Sequence, residues 1–135
     1  MNLFEWTNAY IDSINFFKKN LLKKEIINKN LIKCEYKDKK EVFYYISDVI
    51  DDSCIEFIKN NFDKKIVIVS LNRKENMSLL INYWEAFIKN KDLKFIFSNP
   101  KENLFWAIVP YTHNLISGNL KLGIKTLFES IPYCE

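Results

Sequence analysis

The chain of 135 residues is 48% hydrophobic and 27% charged, with a formal net charge of +3. These values fit a single domain over residues 1–135 with its own core, and they exclude a disordered chain. Only two glycines are present, which excludes the glycine-rich loops that bind dinucleotides and nucleoside triphosphates. A single histidine excludes zinc sites built from several imidazoles. We therefore expect no bound metal and no cofactor.

The cysteines and the first residues bear on the compartment. Cys34, Cys54 and Cys134 are far apart and form no C-x-x-C pair, which is typical of a reducing environment. The start of the sequence lacks a signal-peptide pattern, and no run approaches the ~20 apolar residues that span a bilayer. We expect a cytoplasmic protein without a membrane partner.

The first half of the sequence predicts one helix and a β-hairpin. Apolar residues spaced by three and four predict an amphipathic helix over residues 2–24. Alternating residues then predict strands over 27–36 and 41–47, joined by a polar turn at 37–40. We expect this pair to form an antiparallel edge of the sheet.

The middle of the sequence predicts alternating helices and strands. The acidic residues Asp51 and Asp52 begin a short helix, because negative charge is favourable at a helix N-terminus. The β-branched run over 65–71 predicts a strand buried on both faces, as in a parallel sheet. A helix over 74–90 and a buried strand over 93–98 follow.

The last part predicts one more strand and one more helix. A turn at 99–103 leads to a strand over 104–109, which Pro110 ends, and Ser117-Gly118-Asn119 precedes a helix over 120–130. The element order is α-β-β-α-β-α-β-β-α. Right-handed β-α-β crossovers then predict an α/β three-layer sandwich, in which a five-stranded mixed sheet has helices on both faces.

Small polar residues follow each of the three predicted parallel strands, where ligands of open α/β sheets bind. Together with a helix N-terminus and one arginine they could bind a small anion. These residues are Ser47, Asp48, Ser70, Asn72, Arg73, Ser98 and Asn99. The alternative is that they are turn and N-cap residues without a ligand.

Three further groups of residues have weaker patterns. Asp48, Asp51, Asp52 and Glu56 could hold Mg²⁺ or could only compensate the helix dipole. The tripeptide Glu35-Tyr36-Lys37 matches part of a nuclease motif without its acidic partner. His113 could be a general base, but we expect a loop residue on another surface than the small polar residues.

Aromatic residues surround the first predicted helix more completely than docking on a sheet requires. Some of them could therefore contact a protein partner or a second subunit, whereas the alternative is a wide core contact. The candidate interface residues are Phe4, Trp6, Tyr10 and Phe16.

The sequence therefore favours a non-catalytic protein-interaction or assembly module, which can be a homodimer. The alternative is a small enzyme or ligand sensor that binds an anionic small molecule at the strand ends. Nucleic-acid binding through lysines 18, 19, 23, 24, 37, 39 and 40 ranks last. Arg73 is the only arginine, and arginine supplies the bidentate contacts to phosphate and guanine.

Overall fold

The computed structural model describes residues 1–116 and 118–135, and the elements in these residues are helices around one mixed sheet. The helices are α1 (Leu3–Lys18), α2 (Asp52–Asn60), α3 (Lys74–Asn82), α4 (Trp84–Phe87), α5 (Pro110–Ile116) and α6 (Leu120–Phe128). The strands are β1 (Leu21–Asn28), β2 (Leu31–Tyr36), β3 (Glu41–Ile46), β4 (Lys65–Leu71), β5 (Lys94–Asn99) and β6 (Leu104–Ile108).

The six strands lie side by side in the order of the sequence, β1-β2-β3-β4-β5-β6. The strands β3, β4 and β5 are parallel neighbours, as the β-α-β pattern predicts. The hairpin β2–β3 and the pair β5–β6 are antiparallel, so the antiparallel pairing of both predicted hairpins is confirmed. The strand predicted over 27–36 is in fact the end of β1, a turn and β2, and β1 is the outer strand on this side.

The prediction of five strands is wrong, because the first helix is shorter than its apolar pattern indicates. The helix α1 ends at Lys18, and Lys19 takes a left-handed conformation with φ 52°. The Asn15 side chain then accepts a hydrogen bond from the Leu21 amide at 2.9 Å, which turns the chain into β1. Pairing with β2 satisfies the backbone of residues 21–28, and this pairing outweighs the local helical pattern.

Two other elements differ from the prediction. The helix predicted over 74–90 is divided at Tyr83, whose ψ of 12° departs from helical backbone, and it ends at Phe87. The loop predicted after Pro110 is the helix α5, which begins at this proline because its φ suits a first helical position. Ser117 lies outside the described residues, whereas Asn119 caps α6 by accepting from the Leu122 amide at 3.1 Å.

Two buried clusters hold the elements together. Ile66 and Ile68 of β4 pack with α2, α3, α4 and α6, whereas Val67 and Val69 pack with α1 in what is here called the α1 cluster. Successive side chains of a strand point to opposite faces, so the unbroken β-branched run serves both clusters. The three-layer arrangement stays a prediction. Within the part of the chain that the structure describes, every helix is too short or too polar to cross a bilayer.

Candidate functional site

The carboxyl ends of β3, β4 and β5 form one edge of the sheet, as predicted. The Ser47 amide donates to the Val69 carbonyl at 3.0 Å, and the Asn72 amide donates to the Ser98 carbonyl at 2.8 Å. This edge, here called the polar edge, contains Ser47, Asp48, Ser70, Asn72, Arg73, Ser98 and Asn99. The sequence therefore identified neighbours in space, and the ligand they would hold stays a prediction.

Asn76 of α3 organises the polar edge, although the sequence pattern did not single it out. Its buried amide donates to the Asp48 carbonyl at 2.9 Å and to the Leu71 carbonyl at 2.7 Å, and its oxygen accepts from the Ile50 amide at 2.8 Å. The Ser70 hydroxyl also donates to the Asp48 backbone carbonyl, at 2.9 Å. These bonds fix the loop between β3 and α2 against β4. A polar residue at an inward position of an amphipathic helix is the signal that could have revealed Asn76.

Asn72 connects the polar edge to the C-terminal segment, defined as residues 129–135. Its side chain is fully buried, donates to the Phe128 carbonyl at 3.0 Å, and accepts from the Trp106 indole N–H at 2.8 Å. Its backbone carbonyl accepts from the Cys134 amide at 2.9 Å. Asn72 therefore bonds to its own chain through both its side chain and its backbone.

The C-terminal segment also accepts hydrogen bonds from the other long polar side chains of the polar edge. Arg73 donates through Nε to the Cys134 carbonyl at 2.9 Å, and Asn99 donates to the Pro132 carbonyl at 3.1 Å. The Glu135 carboxylate accepts from the Lys74 amide, at the start of α3, at 3.1 Å. The helix N-terminus that was predicted to attract an anion thus has a carboxylate of the protein beside it.

Ser47 and Asp48 border a groove of about 460 Å³ that Asn30 and Asp51 also line. The Ser47 hydroxyl donates to the Val49 carbonyl at 2.8 Å, and Asp51 caps α2 by accepting from the Cys54 amide at 3.1 Å. In residues 1–116 and 118–135, no three His, Cys, Asp or Glu side chains are placed to hold a metal ion.

His113 lies in α5 and not in a loop, so that prediction is wrong. Its ring packs edge-on against Trp84, with 5.7 Å between ring centroids. It also lines an apolar groove of about 750 Å³ between β6, α5 and α6. Because β6 is antiparallel to β5, this groove lies at the opposite end of the strands from the polar edge, as expected.

The aromatic residues of α1 have different surroundings. Trp6 is only 3% exposed, stacks on Tyr10 with 5.3 Å between centroids, and donates its indole N–H to Asn103. Both rings also contact Phe105 of β6. Phe4 is half-buried against the α1 cluster, whereas Phe16 is 73% exposed. Of the four candidate interface residues, Phe16 therefore offers most of its surface to a partner.

The strand β1 forms one outer edge of the sheet and exposes apolar side chains. Leu22 is 67% exposed, Ile26 51% and Ile27 45%. Ile26 pairs with Ile32, and Ile32 is buried in the α1 cluster, so Ile26 points to the face that carries α1. An exposed edge strand has unpaired backbone groups and is a template for pairing with another strand.

The cysteines are free thiols, and two of them are buried. Burial raises the pKa of Cys34 to about 11 and also raises the pKa of Cys54. These thiols are protonated at neutral pH and therefore poor nucleophiles.

No protein-family model matches this chain, and no curated protein matches it significantly.

Proposed function

We propose that this protein is a protein-interaction module that assembles as a homodimer through antiparallel pairing of β1 with β1 of a second copy. The observation that carries the proposal is the exposed edge strand with its three exposed aliphatic residues, Leu22, Ile26 and Ile27. Their burial against a second copy would be favourable by about 25 cal/mol per Å² of apolar area. A two-fold axis makes such an interface self-complementary and closed.

The order of residues in β1 favours a second copy as the partner. A two-fold axis at Lys24 would place Lys23 opposite Glu25 of the second copy, and it would bring Leu22, which lies at an irregularity of β1, near Ile26. Opposite charges and apolar pairs in these positions stabilise antiparallel strands. The strand β6, at the other edge, has the residues Leu104–Ile108, without any charge to fix such a register.

The same axis would bring the two Lys24 side chains together, and the structure contains a compensating charge. Lys24 is bonded at 2.6 Å to the Asp12 carboxylate and at 2.6 Å to the Asn8 side chain. A lysine neutralised in this way repels its symmetry mate less than a free one would.

Phe16 would extend the interface. It follows Asp12 by four residues and Asn8 by eight, so the three side chains share one side of α1. Since Asn8 and Asp12 reach Lys24, this side of α1 faces β1. Phe16 is therefore exposed beside β1, the strand that is proposed to pair with a second copy.

Binding of an anionic small molecule at the polar edge is the second candidate. The groove beside Ser47 provides space for a ligand, although Asp48 and Asp51 make its lining acidic. The bonds that Asn72, Asn76, Arg73 and Asn99 make to the chain itself favour a structural role. The test is ligand-induced thermal stabilisation across metabolites. Arg73→Ala and Asp48→Asn should abolish it if the edge binds ligands.

We also propose a three-layer arrangement of the fold and a cytoplasmic location. The alternation of β4 side chains between two clusters supports a three-layer sandwich with the sheet in the middle. The free thiols support a cytoplasmic location, where a reducing environment maintains them.

Charge reversal tests the proposed register. Lys23→Glu would place two carboxylates opposite each other, so we expect a monomer by light scattering at concentrations where the wild type is a dimer. Glu25→Lys should act in the same way, and the double variant should recover the dimer. A dimer that tolerates both single changes equally well would contradict this register.

Two matched aliphatic variants test whether β1, rather than any exposed apolar surface, forms the dimer. Ile26→Lys should yield a monomer, whereas Leu122→Lys, at a residue of α6 that is 61% exposed, should leave the dimer intact. Circular dichroism controls for folding, because Lys23 and Glu25 also pair with Glu35 and Lys33 of β2. A wild type that is monomeric at all concentrations would overturn the proposal.

A further inference from the structure

A lysine-lined cavity lies at the end of the sheet opposite the polar edge. It has a volume of about 270 Å³ and lies between the last turns of α1, the turn after β2, and the first residues of β4 and β5. Four of its lining side chains are lysines, namely Lys18, Lys40, Lys65 and Lys94, and one is an aspartate, Asp38. The lining is therefore strongly cationic, although the whole chain has a net charge of only +3.

The strand register explains why the lysines converge. Lys94 pairs with Val67, and Val42 pairs with Lys65, so these four residues point to the same face of the sheet. Val42 and Val67 belong to the cluster under α1, so this is the face that carries α1. Lys40, two residues before Val42, approaches the cavity from the turn, and Lys18 approaches it from the end of α1.

These four ammonium groups have no carboxylate partners among the residues that the structure describes. The ion pairs found there, with N–O distances of at most 4.0 Å, involve only Lys23, Lys24 and Lys33. Asp38 accepts from the Lys40 backbone amide at 3.0 Å and fixes the turn. The carbonyl end of α1 favours the nearby Lys18, but it does not account for lysines at the starts of two strands.

The surroundings of Lys94 disfavour its charged form. Burial and the positive charges of Lys65 and Lys18 lower the pKa of the Lys94 ammonium group. A positive cluster that is unfavourable in the free protein becomes favourable when an anion is bound.

The other side chains of the cavity suit an oxyanion. Tyr10, Tyr36 and Tyr44 also line the cavity. Tyr36 and Tyr44 are hydrogen-bonded to each other, whereas burial alone raises the pKa of Tyr10, whose protonated hydroxyl can donate to an anion. Lysine binds phosphate as a point charge, and the cavity volume exceeds that of several waters at about 30 Å³ each.

We propose that this cavity binds a small phosphate-type anion, held by Lys40, Lys65 and Lys94 with a hydrogen bond from the Tyr10 hydroxyl. The site is independent of the proposed dimer, because β1 does not line it. The same chemistry is offered by free phosphate and by the phosphate group of a small organic ester.

Isothermal titration calorimetry at low ionic strength tests this proposal. Inorganic phosphate and glycerol 2-phosphate are titrated separately, with sodium chloride of equal ionic strength as the control for screening. We expect saturable binding of at least one phosphate compound and none of chloride. Tighter binding of the ester would assign the site to an organic phosphate, and tighter binding of inorganic phosphate would assign it to the free ion.

Single-charge variants locate the binding. Lys94→Gln and Lys40→Gln should each raise the Kd by about tenfold, since one charge-assisted hydrogen bond is lost. Lys59→Gln in α2 and Lys121→Gln in α6 remove exposed lysines outside the cavity and should leave the Kd unchanged. Lys40 is exposed in a turn, so its substitution keeps the test valid if Lys94→Gln folds poorly. Equal effects of cavity and control variants, or no binding of either phosphate compound, would overturn the proposal.

Discussion

Replacing Asn72 by alanine tests whether the polar edge is primarily structural. The substitution removes the acceptor of the Trp106 indole N–H at 2.8 Å and the donor to the Phe128 carbonyl at 3.0 Å. Both hydrogen bonds are buried, so water cannot replace the lost partner without a rearrangement. An unsatisfied buried polar group costs about 1–3 kcal/mol, so the two groups together predict a loss of about 3 kcal/mol in the free energy of unfolding.

Urea denaturation with linear extrapolation measures this loss. Asn119→Ala is the matched control, because Asn119 makes one exposed N-cap bond at 3.1 Å and its loss should cost about 1 kcal/mol. If Asn72→Ala destabilises the protein no more than Asn119→Ala does, the buried hydrogen bonds of the Asn72 side chain contribute little. The reasoning about the polar edge would then be refuted.

Three other predictions concern the thiols and the lysine-lined cavity. Cys134 should be the first cysteine to react with a thiol reagent in the folded protein. The raised pKa of about 11 leaves Cys34 with roughly 100-fold less thiolate than a free thiol. Equal rates of modification of Cys34 and Cys134, measured by mass spectrometry, would contradict this. The stability that the raised pKa of Cys34 contributes is present below pH 9 and is lost as the pH rises towards about 11. The loss of unfolding free energy at alkaline pH, measured by urea denaturation, should therefore be smaller in Cys34→Ala than in the wild type. Finally, without added anion and at low salt, Lys94→Gln should stabilise the fold by about 0.5 kcal/mol, because it removes a charge that is partly buried and is repelled by Lys65 and Lys18. A gain that is unchanged in high salt would rule out a contribution from repulsion.

The elements that the sequence predicted well are those with a strong local pattern. The strand over 65–71 has the predicted bounds, because an unbroken β-branched run suits only a strand that is buried on both faces. The parallel arrangement of β3, β4 and β5 followed from the crossovers that connect them. The misplaced end of α1 has a different origin, since it depends on Lys19 in a left-handed conformation and on pairing with β2. Neither glycine nor proline marks that position in the sequence.

The sequence predicts that the residues of the polar edge are neighbours, but it does not predict the hydrogen bonds that they make. The Asn72 side chain donates to carbonyls that are 56 or more positions away, and no local pattern indicates that the C-terminal segment returns to the ends of the strands. The lysine-lined cavity was missed for the same reason. Lys65 and Lys94 become neighbours only through the register of β4 and β5, which the hydrophobic pattern does not specify.

Hydrogen–deuterium exchange at two protein concentrations tests the proposed dimer most directly. At high concentration, amides of residues 21–28 should exchange more slowly than at low concentration, whereas those of residues 104–108 at the other edge should not change. Light scattering on the same samples should give twice the chain mass of 16.2 kDa at the high concentration. Unchanged exchange in residues 21–28 across a range in which the mass doubles would contradict pairing through β1.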